Sequence, residues 1–276
     1  MPIKSILVHL DRRPDHVNRI GVAIDLAKRF GAHLELFYPT QPVPMPAAIH
    51  GYGASHEFLE EEREIAEKHR TELAKGLDDR DDLKDISWRF AHEEGEALGP
   101  LAHHALYADL TIVTKSHPDS FESWLGPHLP QHLPLACGCP TLILPEGWDH
   151  TKPFGRTICF GWKPGSECAR TMRDALPFFE TANRVLVLAV RPNDPDHMPD
   201  EGVDRYLRRH GVRTQLLDHM DDDRHAGKGL VNAVRDFHCD MLVMGSYGRS
   251  RWRELILGGA TEHVLEHADV PVLMGH

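Results

Sequence analysis

The stretch Met241-Leu-Val-Met-Gly-Ser-Tyr-Gly248, followed nine residues later by Gly258-Gly-Ala-Thr261, decides how this sequence is interpreted. A run of four apolar residues is followed by a glycine-containing segment, and a helical pattern begins after the last of its glycines. This strand–glycine–helix order brings backbone N–H groups and a helix N-terminus up to a phosphate in α/β proteins. Glycine is needed where a Cβ would hold the chain away from the anion or forbid a positive φ. The stretch predicts an anion-binding loop in an α/β domain.

A degenerate copy of this stretch occurs earlier in the chain. Residues 109–117 align with residues 240–248 at a shift of 131 positions. The chain start repeats as well, because residues 6–11 align with residues 158–163 at a shift of 152 positions. The difference between the shifts, 21 residues, is extra length in the first half. Internal duplication is therefore the main organisational feature of the sequence.

Apolar runs alternate with helical patterns along both halves. Strands are predicted at residues 6–10, 34–38, 86–90, 110–114, 141–144, 157–161, 185–190, 213–217, 241–244 and 270–274. The clearest helices are predicted at residues 17–30, 56–77, 96–108, 169–179, 229–238 and 261–267, and residues 116–135 are interpreted as a proline-broken segment. This alternation predicts an α/β fold with two doubly wound parallel five-stranded sheets in tandem. The predicted domains are residues 1–147 and 154–276.

Charge and composition exclude several classes of protein. The 276 residues contain 31 Lys+Arg and 42 Asp+Glu, a net charge of −11, which argues against nucleic-acid or anionic-membrane partners. No apolar run approaches the roughly 20 residues of a membrane helix, and the N-terminus lacks a charged-then-apolar leader. The five scattered cysteines are interpreted as reduced thiols. We therefore expect a cytoplasmic protein.

Motifs for metal binding and catalysis are weak. Cys137 and Cys139 are too closely spaced for a zinc ribbon, so we interpret them as small residues before a buried strand, with a redox role as the alternative. The 21 histidines are not clustered at ligand spacing, and no metal site is predicted. Ser246 has no nucleophile elbow around it and no defined His or Asp partner. We predict that the protein is not an enzyme, with weak ATP hydrolysis left open.

The spacing Gly245-x2-Gly248-x9-Gly258 resembles the nucleotide loop of universal stress proteins. The helix and strand over residues 261–274 add to the resemblance, and the duplicated layout resembles the tandem two-domain members of that family. The resemblance implies a Rossmann-like, adenine nucleotide alpha hydrolase-like fold. It also implies a stress-response protein whose second domain binds an adenine nucleotide as a regulatory ligand, with ATP and an accompanying Mg²⁺ as the implied cofactors.

The resemblance assigns ten residues to the nucleotide site of the second domain. They are Lys163, Val190, Met244, Gly245, Gly248, Arg249, Gly258, Gly259, Ala260 and Thr261. Two of them depart from the family pattern, because Lys163 replaces an acidic residue and Gly259 replaces a Ser or Thr. The first loss removes a carboxylate acceptor for sugar hydroxyls, on the order of 1–3 kcal/mol.

The first domain departs in the opposite way. Asp11 keeps the acidic position, but Pro127 replaces the third glycine and has no N–H to offer an anion. We predict no nucleotide there, and we interpret Asp11 as a helix cap or a residual residue. By resemblance, the strands at 141–144 and 272–274 would pair and make an intrachain pseudo-dimer; a homodimer of whole chains is also compatible.

Structural alternatives remain open at this stage. The glycines can form a tight turn that binds nothing, and Thr261 can be a simple N-cap. The alternative function is therefore a nucleotide-free interaction scaffold of the same fold. A nucleotide-using α/β enzyme is a third hypothesis.

Overall fold

The computed structural model describes residues 2–40, 56–95, 97–115, 129–190, 201–219, 226–246 and 259–276. The strands are β1 (Ser5–His9), β2 (His33–Thr40), β3 (Trp88–Glu94), β4 (Leu110–Thr114), β5 (Thr141–Leu144), β6 (Thr157–Trp162), β7 (Arg184–Val190), β8 (Thr214–His219), β9 (Met241–Gly245) and β10 (Val272–Gly275). The helices within these residues are α1 (His16–Phe30), α2 (His56–Asp78), α3 (Leu98–Ala105), α4 (Leu129–Cys137), α5 (Ser166–Asp174), α6 (Leu176–Thr181), α7 (Glu201–Arg209), α8 (Ala226–Asp236) and α9 (Gly259–His267).

All ten strands belong to one sheet, in the order β3-β2-β1-β4-β5-β10-β9-β6-β7-β8. Neighbouring strands within each half run parallel. The halves meet at β5 and β10, which pair antiparallel with Leu142 opposite Leu273. The predicted α/β class with two parallel five-stranded units is confirmed. The expected pairing of the last strands joins these units into a single sheet.

Helices cover both faces of this sheet. All residues of β4 and β5 are buried, as are all residues of β1 after Ser5. One apolar cluster, which includes Phe160 and Phe178, covers one face, and a second, which includes Leu242 and Val264, covers the other. Strands buried on both faces have continuous apolar sequences. That is why apolar runs alone located most of the strands.

Helix α4 corrects the interpretation of residues 116–135 as a proline-broken segment. Residues 129–137 are helical in spite of Pro134 inside the helix. The buried residues of α4 are Pro130, Leu133, Pro134 and Cys137. These positions follow the i, i+3, i+4, i+7 spacing of an amphipathic helix, so burial of one apolar face outweighs the hydrogen bond that Pro134 cannot donate.

The single helix predicted over residues 169–179 is two helices. Helix α5 ends at Asp174, and α6 begins at Leu176 with Pro177 in its first turn. Proline has no N–H for the carbonyl four residues earlier, here that of Arg173, and it suits the first turn of a new helix. The break turns Phe178 and Phe179 into the core, where both are fully buried.

Strand β3 lies further along the chain than the predicted 86–90. It pairs with β2 from Trp88 opposite Leu34 to Glu94 opposite Thr40. The three residues at its end, His92 to Glu94, are polar and therefore resemble a loop in sequence. As an edge strand, β3 keeps these side chains partly or fully exposed while its backbone pairs on one side.

Side chains from both halves interlock beside the central strands. The rings of Phe30 and Phe178 pack edge to face with centroids 5.4 Å apart, and Arg29 lies over the Phe178 ring. Lys115, just after β4, donates to the carbonyl oxygens of Glu266 and Ala268 at 3.3 and 3.2 Å. A cation at the C-terminal end of α9 also suits the helix dipole. The two halves are thus packed together by side chains as well as by the sheet.

Candidate functional site

Each half of the sheet contains a point where the strand order reverses. Strand β1 lies between β2 and β4, and β6 lies in the same way between β7 and β9. Ligands of open α/β sheets bind in the crevice beyond the carboxyl ends of the strands at such a point. The two candidate sites are therefore the ends of β1 and β4 in the first half and the ends of β6 and β9 in the second.

A buried arginine bridges the strand ends of the first half. Arg19, in α1, is fully buried, and its Nη2 donates to Asp11 Oδ1 at 2.6 Å. Its Nη1 donates to the Thr114 hydroxyl at 2.8 Å. Asp11 follows β1 and Thr114 ends β4, so the guanidinium group spans the switch point. A side chain of this chain occupies the first-half crevice.

The carboxylate of Asp11 is already saturated with donors. Arg13 binds it through its backbone N–H at 3.1 Å and through Nε at 2.9 Å. Burial raises the pKa of Asp11, but the guanidinium charges of Arg19 and Arg13 outweigh burial and hold that pKa well below its usual range. The interpretation of Asp11 as a helix cap is wrong, because α1 begins at His16 behind Asp15. Its role is to hold Arg19.

His9 completes this cluster as a neutral ring. Burial lowers the pKa of His9 to about 3, although the Asp11 carboxylate opposes the shift. Its Nδ1 lies 3.9 Å from Asp11 Oδ2. Within the described residues, His9 Nδ1 and Arg19 Nε are buried nitrogens without a hydrogen-bond partner. Protonating the ring would place another cation beside two guanidinium groups, so His9 stays uncharged at neutral pH.

The second half carries different residues at the equivalent positions. The two sequence shifts relate the cluster residues to their counterparts as follows: Asp11 to Lys163, Arg19 to Thr171, and Thr114 to Gly245. Lys163 directly follows β6 and is exposed. Thr171 is buried in α5, and its hydroxyl donates to the Glu167 carbonyl at 2.8 Å. That hydrogen bond stays within one helix, so Thr171 does not bridge the strand ends as Arg19 does.

Gly245 allows α5 to pack directly on the end of β9. A Cβ at this position would lie 2.9 Å from Cys168 Sγ and 3.1 Å from the Cys168 backbone nitrogen. The φ of Gly245 is not positive, so its backbone does not require glycine. Close packing is therefore a sufficient reason for glycine here. Gly275, beside it in β10, has a similar role, because its Cβ would lie 2.7 Å from Thr171 Oγ1.

The residue after Gly245 is tied to the C-terminal strand. Ser246 is buried, and its backbone N–H and its hydroxyl donate to the Gly275 carbonyl at 2.8 and 3.0 Å. The imidazole Nδ1 of His276 lies 3.1 Å from the Ser246 carbonyl oxygen. The Ser246 hydroxyl is thus engaged with backbone at the position where a nucleophile would need a free hydroxyl.

Helix α9 begins two residues before the predicted start. Its first residue is Gly259, so Thr261 lies within the first turn and the N-cap interpretation of Thr261 is wrong. Gly259 is exposed, whereas Thr261 is buried. A Cβ at Gly227 would lie 2.6 Å from the Ala260 carbonyl oxygen, so α8 packs closely against this turn. The structure thereby fixes the N-terminus of α9 with an exposed glycine at its tip.

The remaining predicted residues fall into two groups. Trp162 lies opposite Ala189 in the β6–β7 register, which places Lys163 beside Val190 at the strand ends. Met244 is buried opposite Gly161 in the β6–β9 register. Lys163, Val190 and the Met244–Gly245 pair therefore share one edge of the sheet. The predicted Gly248, Arg249, Gly258 and first-half Pro127 lie outside the described residues.

Sequence reasoning missed Arg19 as a site residue. Its position in α1 follows Asn18 and precedes Ile20, so it looks like an ordinary charged residue on an amphipathic helix. A signal was nevertheless present in the duplication. Where the first half has Asp11, the second half has Lys163, and where the first half has Arg19, the second half has Thr171. Paired changes of opposite charge are typical of residues that contact each other.

No group of three His, Cys, Asp or Glu side chains in the described parts of the chain is arranged to hold a metal ion. None of the helices described above combines the length and apolar composition needed to cross a bilayer.

These features define a tandem α/β protein with a crevice at the switch point of each half. Arg19 occupies the crevice of the first half, and the second half has different residues at the equivalent positions. Its fold is similar to that of a universal stress protein from Archaeoglobus fulgidus, with a TM-score of 0.75 and 14% identity over 98% of this chain and 95% of that chain. The model of the Universal stress protein family matches residues 185–276. By this family model, the similarity to universal stress proteins lies in the second half of the chain.

Two named relatives match short segments of the chain. Universal stress protein Slr1230 of Synechocystis sp. is 41% identical over 49 residues, 18% of this chain and 17% of that protein. Universal stress protein MJ0577 of Methanocaldococcus jannaschii is 36% identical over 45 residues, 16% of this chain and 28% of that protein. The matched segments span less than a third of either relative.

Proposed function

We propose that this chain is a cytoplasmic stress-response protein whose second half binds an adenine nucleotide, ATP, as a regulatory ligand. The first half, residues 1–147, would serve as a nucleotide-free partner domain, and residues 154–276 would form the binding domain. The five free cysteines suit a reducing compartment. We propose no catalytic role, because the serine that follows the first glycine of the motif, Ser246, is engaged with backbone.

The contrast between the two switch points carries this proposal. In the first half, Arg19 bonds both Asp11 and Thr114 and fills the place where a ligand would lie. At the equivalent position of the second half, Thr171 bonds within its own helix. An exposed cation, Lys163, also stands at this edge and suits the negative charge of phosphates.

The first turn of α9 supports phosphate binding by the same half. Its leading residue, Gly259, is exposed, and among the described residues a Cβ there would meet no atom within 4 Å. Backbone N–H groups at a helix N-terminus favour anions through their hydrogen-bond donors and through the helix dipole. An Mg²⁺ ion accompanying ATP would be held chiefly by the phosphates and water.

The alternative is an interaction scaffold of the same fold that binds no nucleotide. The contact of Gly245 with Cys168 favours it, because this contact explains a glycine of the motif without a ligand. In that case the second half would keep its glycines for packing alone.

Nucleotide released by denaturing the purified protein, followed by thermal-shift titration with ATP, separates these functions. We expect released adenine nucleotide or an ATP-dependent rise in the melting temperature. Absence of both would favour the scaffold.

A charge substitution at the tip of α9 locates the site. Gly259→Asp suits a helix N-terminus, so the unliganded protein should stay folded, but the carboxylate should repel phosphate and reduce the ATP shift. Gly259→Asn has nearly the same shape without the charge and should keep most of the shift. Equal ATP shifts in both variants would place the nucleotide elsewhere.

A further inference from the structure

Two thiols lie on one tight turn between α4 and β5. Helix α4 ends at Cys137, and Gly138 follows with φ of +62°, the left-handed conformation that commonly terminates helices. Cys139 comes next, and its Sγ lies 3.5 Å from the Thr111 hydroxyl. Two trans peptide units separate the Cα atoms of the cysteines by at most about 7.6 Å, and the turn shortens this distance. Disulfides span Cα separations of about 4.4–6.8 Å, so the turn permits one.

The two thiols differ in their readiness to ionise. The thiol of Cys137 donates to the Leu133 carbonyl oxygen at 3.0 Å, and that of Cys139 donates to the Ala108 carbonyl oxygen at 3.3 Å. The neighbouring Cys139 side chain lowers the pKa of Cys137 to about 7, although burial opposes the change. The Cys137 side chain and burial raise the pKa of Cys139, and the Asp109 carboxylate adds to the rise. Cys137 is therefore the thiol of the pair that ionises first and acts as the nucleophile.

A cavity of about 210 Å³ gives small molecules access to this turn. Cys137, Gly138 and Cys139 line it, together with Ile3, Asp109 and Asp174. Cys137 retains 9% of its surface exposed, compared with none for Cys159 in β6. A water molecule takes up about 30 Å³, so hydrogen peroxide fits this cavity.

We propose that Cys137 and Cys139 form a dithiol site that hydrogen peroxide oxidises to an intrachain disulfide.

The reaction proceeds in two displacements. The Cys137 thiolate attacks one peroxide oxygen, an S–O bond forms, the O–O bond breaks, and the leaving hydroxide takes up a proton to become water. The Cys139 sulfur then gives up its proton and attacks the resulting sulfenic acid. The S–S bond forms, the S–O bond breaks, and the second oxygen leaves as water. In total, two thiols lose two electrons and one peroxide is reduced to two water molecules.

The full-length reduced protein tests this proposal. It is treated with hydrogen peroxide, blocked with N-ethylmaleimide and digested without reductant for mass spectrometry. We expect the peptide containing both cysteines to lose two hydrogens, to escape alkylation, and to recover both thiols in dithiothreitol. Before oxidation, N-ethylmaleimide should label Cys137 at least about tenfold faster than Cys159. Full alkylation of Cys137 after peroxide treatment would refute the site.

Variants separate the roles of the two thiols. Cys139→Ala should leave a sulfenic acid on Cys137 that dimedone traps, with no disulfide formed. Cys159→Ala is the matched control, because the pKa of Cys159 also responds to a second cysteine, Cys239, but Cys159 is fully buried. It should form the Cys137–Cys139 disulfide at the wild-type rate. A Cys159–Cys239 disulfide that forms first would overturn the proposal. If the Cys139→Ala variant does not fold, the N-ethylmaleimide labelling rates of the wild-type protein provide the test instead.

Discussion

Arg19 Nη2 donates to Asp11 Oδ1 at 2.6 Å across the ends of two parallel strands, inside the crevice where related sheets bind ligands. The Arg19 side chain is wholly enclosed, and the Asp11 side chain is only 13% exposed. It links α1 to the ends of β1 and β4. The first half is thereby closed by its own residues.

Removing the cation of this pair should destabilise the protein strongly. Arg19→Met leaves the Asp11 carboxylate buried without its main partner, and we expect a loss of about 3–5 kcal/mol in the free energy of unfolding. Urea denaturation measures it. The double variant Arg19→Met with Asp11→Asn should lose less than the sum of the two single variants. Additive losses would show that the two side chains do not depend on each other.

Stability should fall with acid because of His9. The pKa of His9 is about 3 in the folded chain, below the value near 6.5 of an unfolded chain, so below about pH 6.5 the unfolded state binds a proton that the folded state does not. The free energy of unfolding should therefore decrease as pH drops from about 6.5 towards 3, by up to about 1.4 kcal/mol per pH unit.

Urea denaturation across this pH range, compared with His9→Leu, isolates the effect. The variant should lose most of the slope between about pH 6.5 and 5. It should still weaken below about pH 4, because the depressed pKa of Asp11 makes its contribution disappear as that carboxylate is protonated. An unchanged slope in the variant would assign the proton uptake to another group.

Gly245→Ala should destabilise the protein even without a ligand. Its new Cβ would meet the Cys168 backbone at 3.1 Å, so α5 would have to move, at a cost of about 1–3 kcal/mol. Gly259→Ala is the control, since a Cβ there would meet no atom of the described residues within 4 Å and alanine favours a helix. Thermal unfolding of the unliganded variants measures both. Equal stability of the two would remove the packing explanation for Gly245.

Two further glycines should respond to alanine in opposite directions. Gly76 lies exposed within α2, and no atom of the described part of the chain lies within 4 Å of its Cβ position, so Gly76→Ala should stabilise the protein by about 0.5–1 kcal/mol. Gly31 ends α1 with φ of +60°, so Gly31→Ala should destabilise it by about 1–2 kcal/mol. Chemical denaturation of the pair tests whether backbone conformation decides these effects.

The sequence was sufficient to predict the architecture because buried parallel strands leave a simple pattern. Runs such as Met241–Gly245 are apolar at nearly every position, and the resemblance to universal stress proteins supplied the pairing of the halves. Helix α4 escaped prediction because local rules weigh Pro134 as a helix breaker. The helix forms because its apolar face is buried in the core, and this burial outweighs the effect of Pro134.

The candidate site was less predictable, since its chemistry depends on contacts between distant residues. Arg19 and Thr114 are 95 residues apart, and nothing local marks the arginine as buried. Gly245 illustrates the converse. Glycine there was expected to serve an anion, yet the neighbouring helix already requires it.

The antiparallel pairing of β5 with β10 reverses the direction of one half relative to the other. The strand ends near Arg19 and those near Lys163 consequently point towards opposite poles of the molecule. At one pole the strand ends are bridged by the buried Arg19, and at the other they carry the exposed Lys163. The duplicated chain therefore presents two chemically different surfaces to a partner despite its internal symmetry.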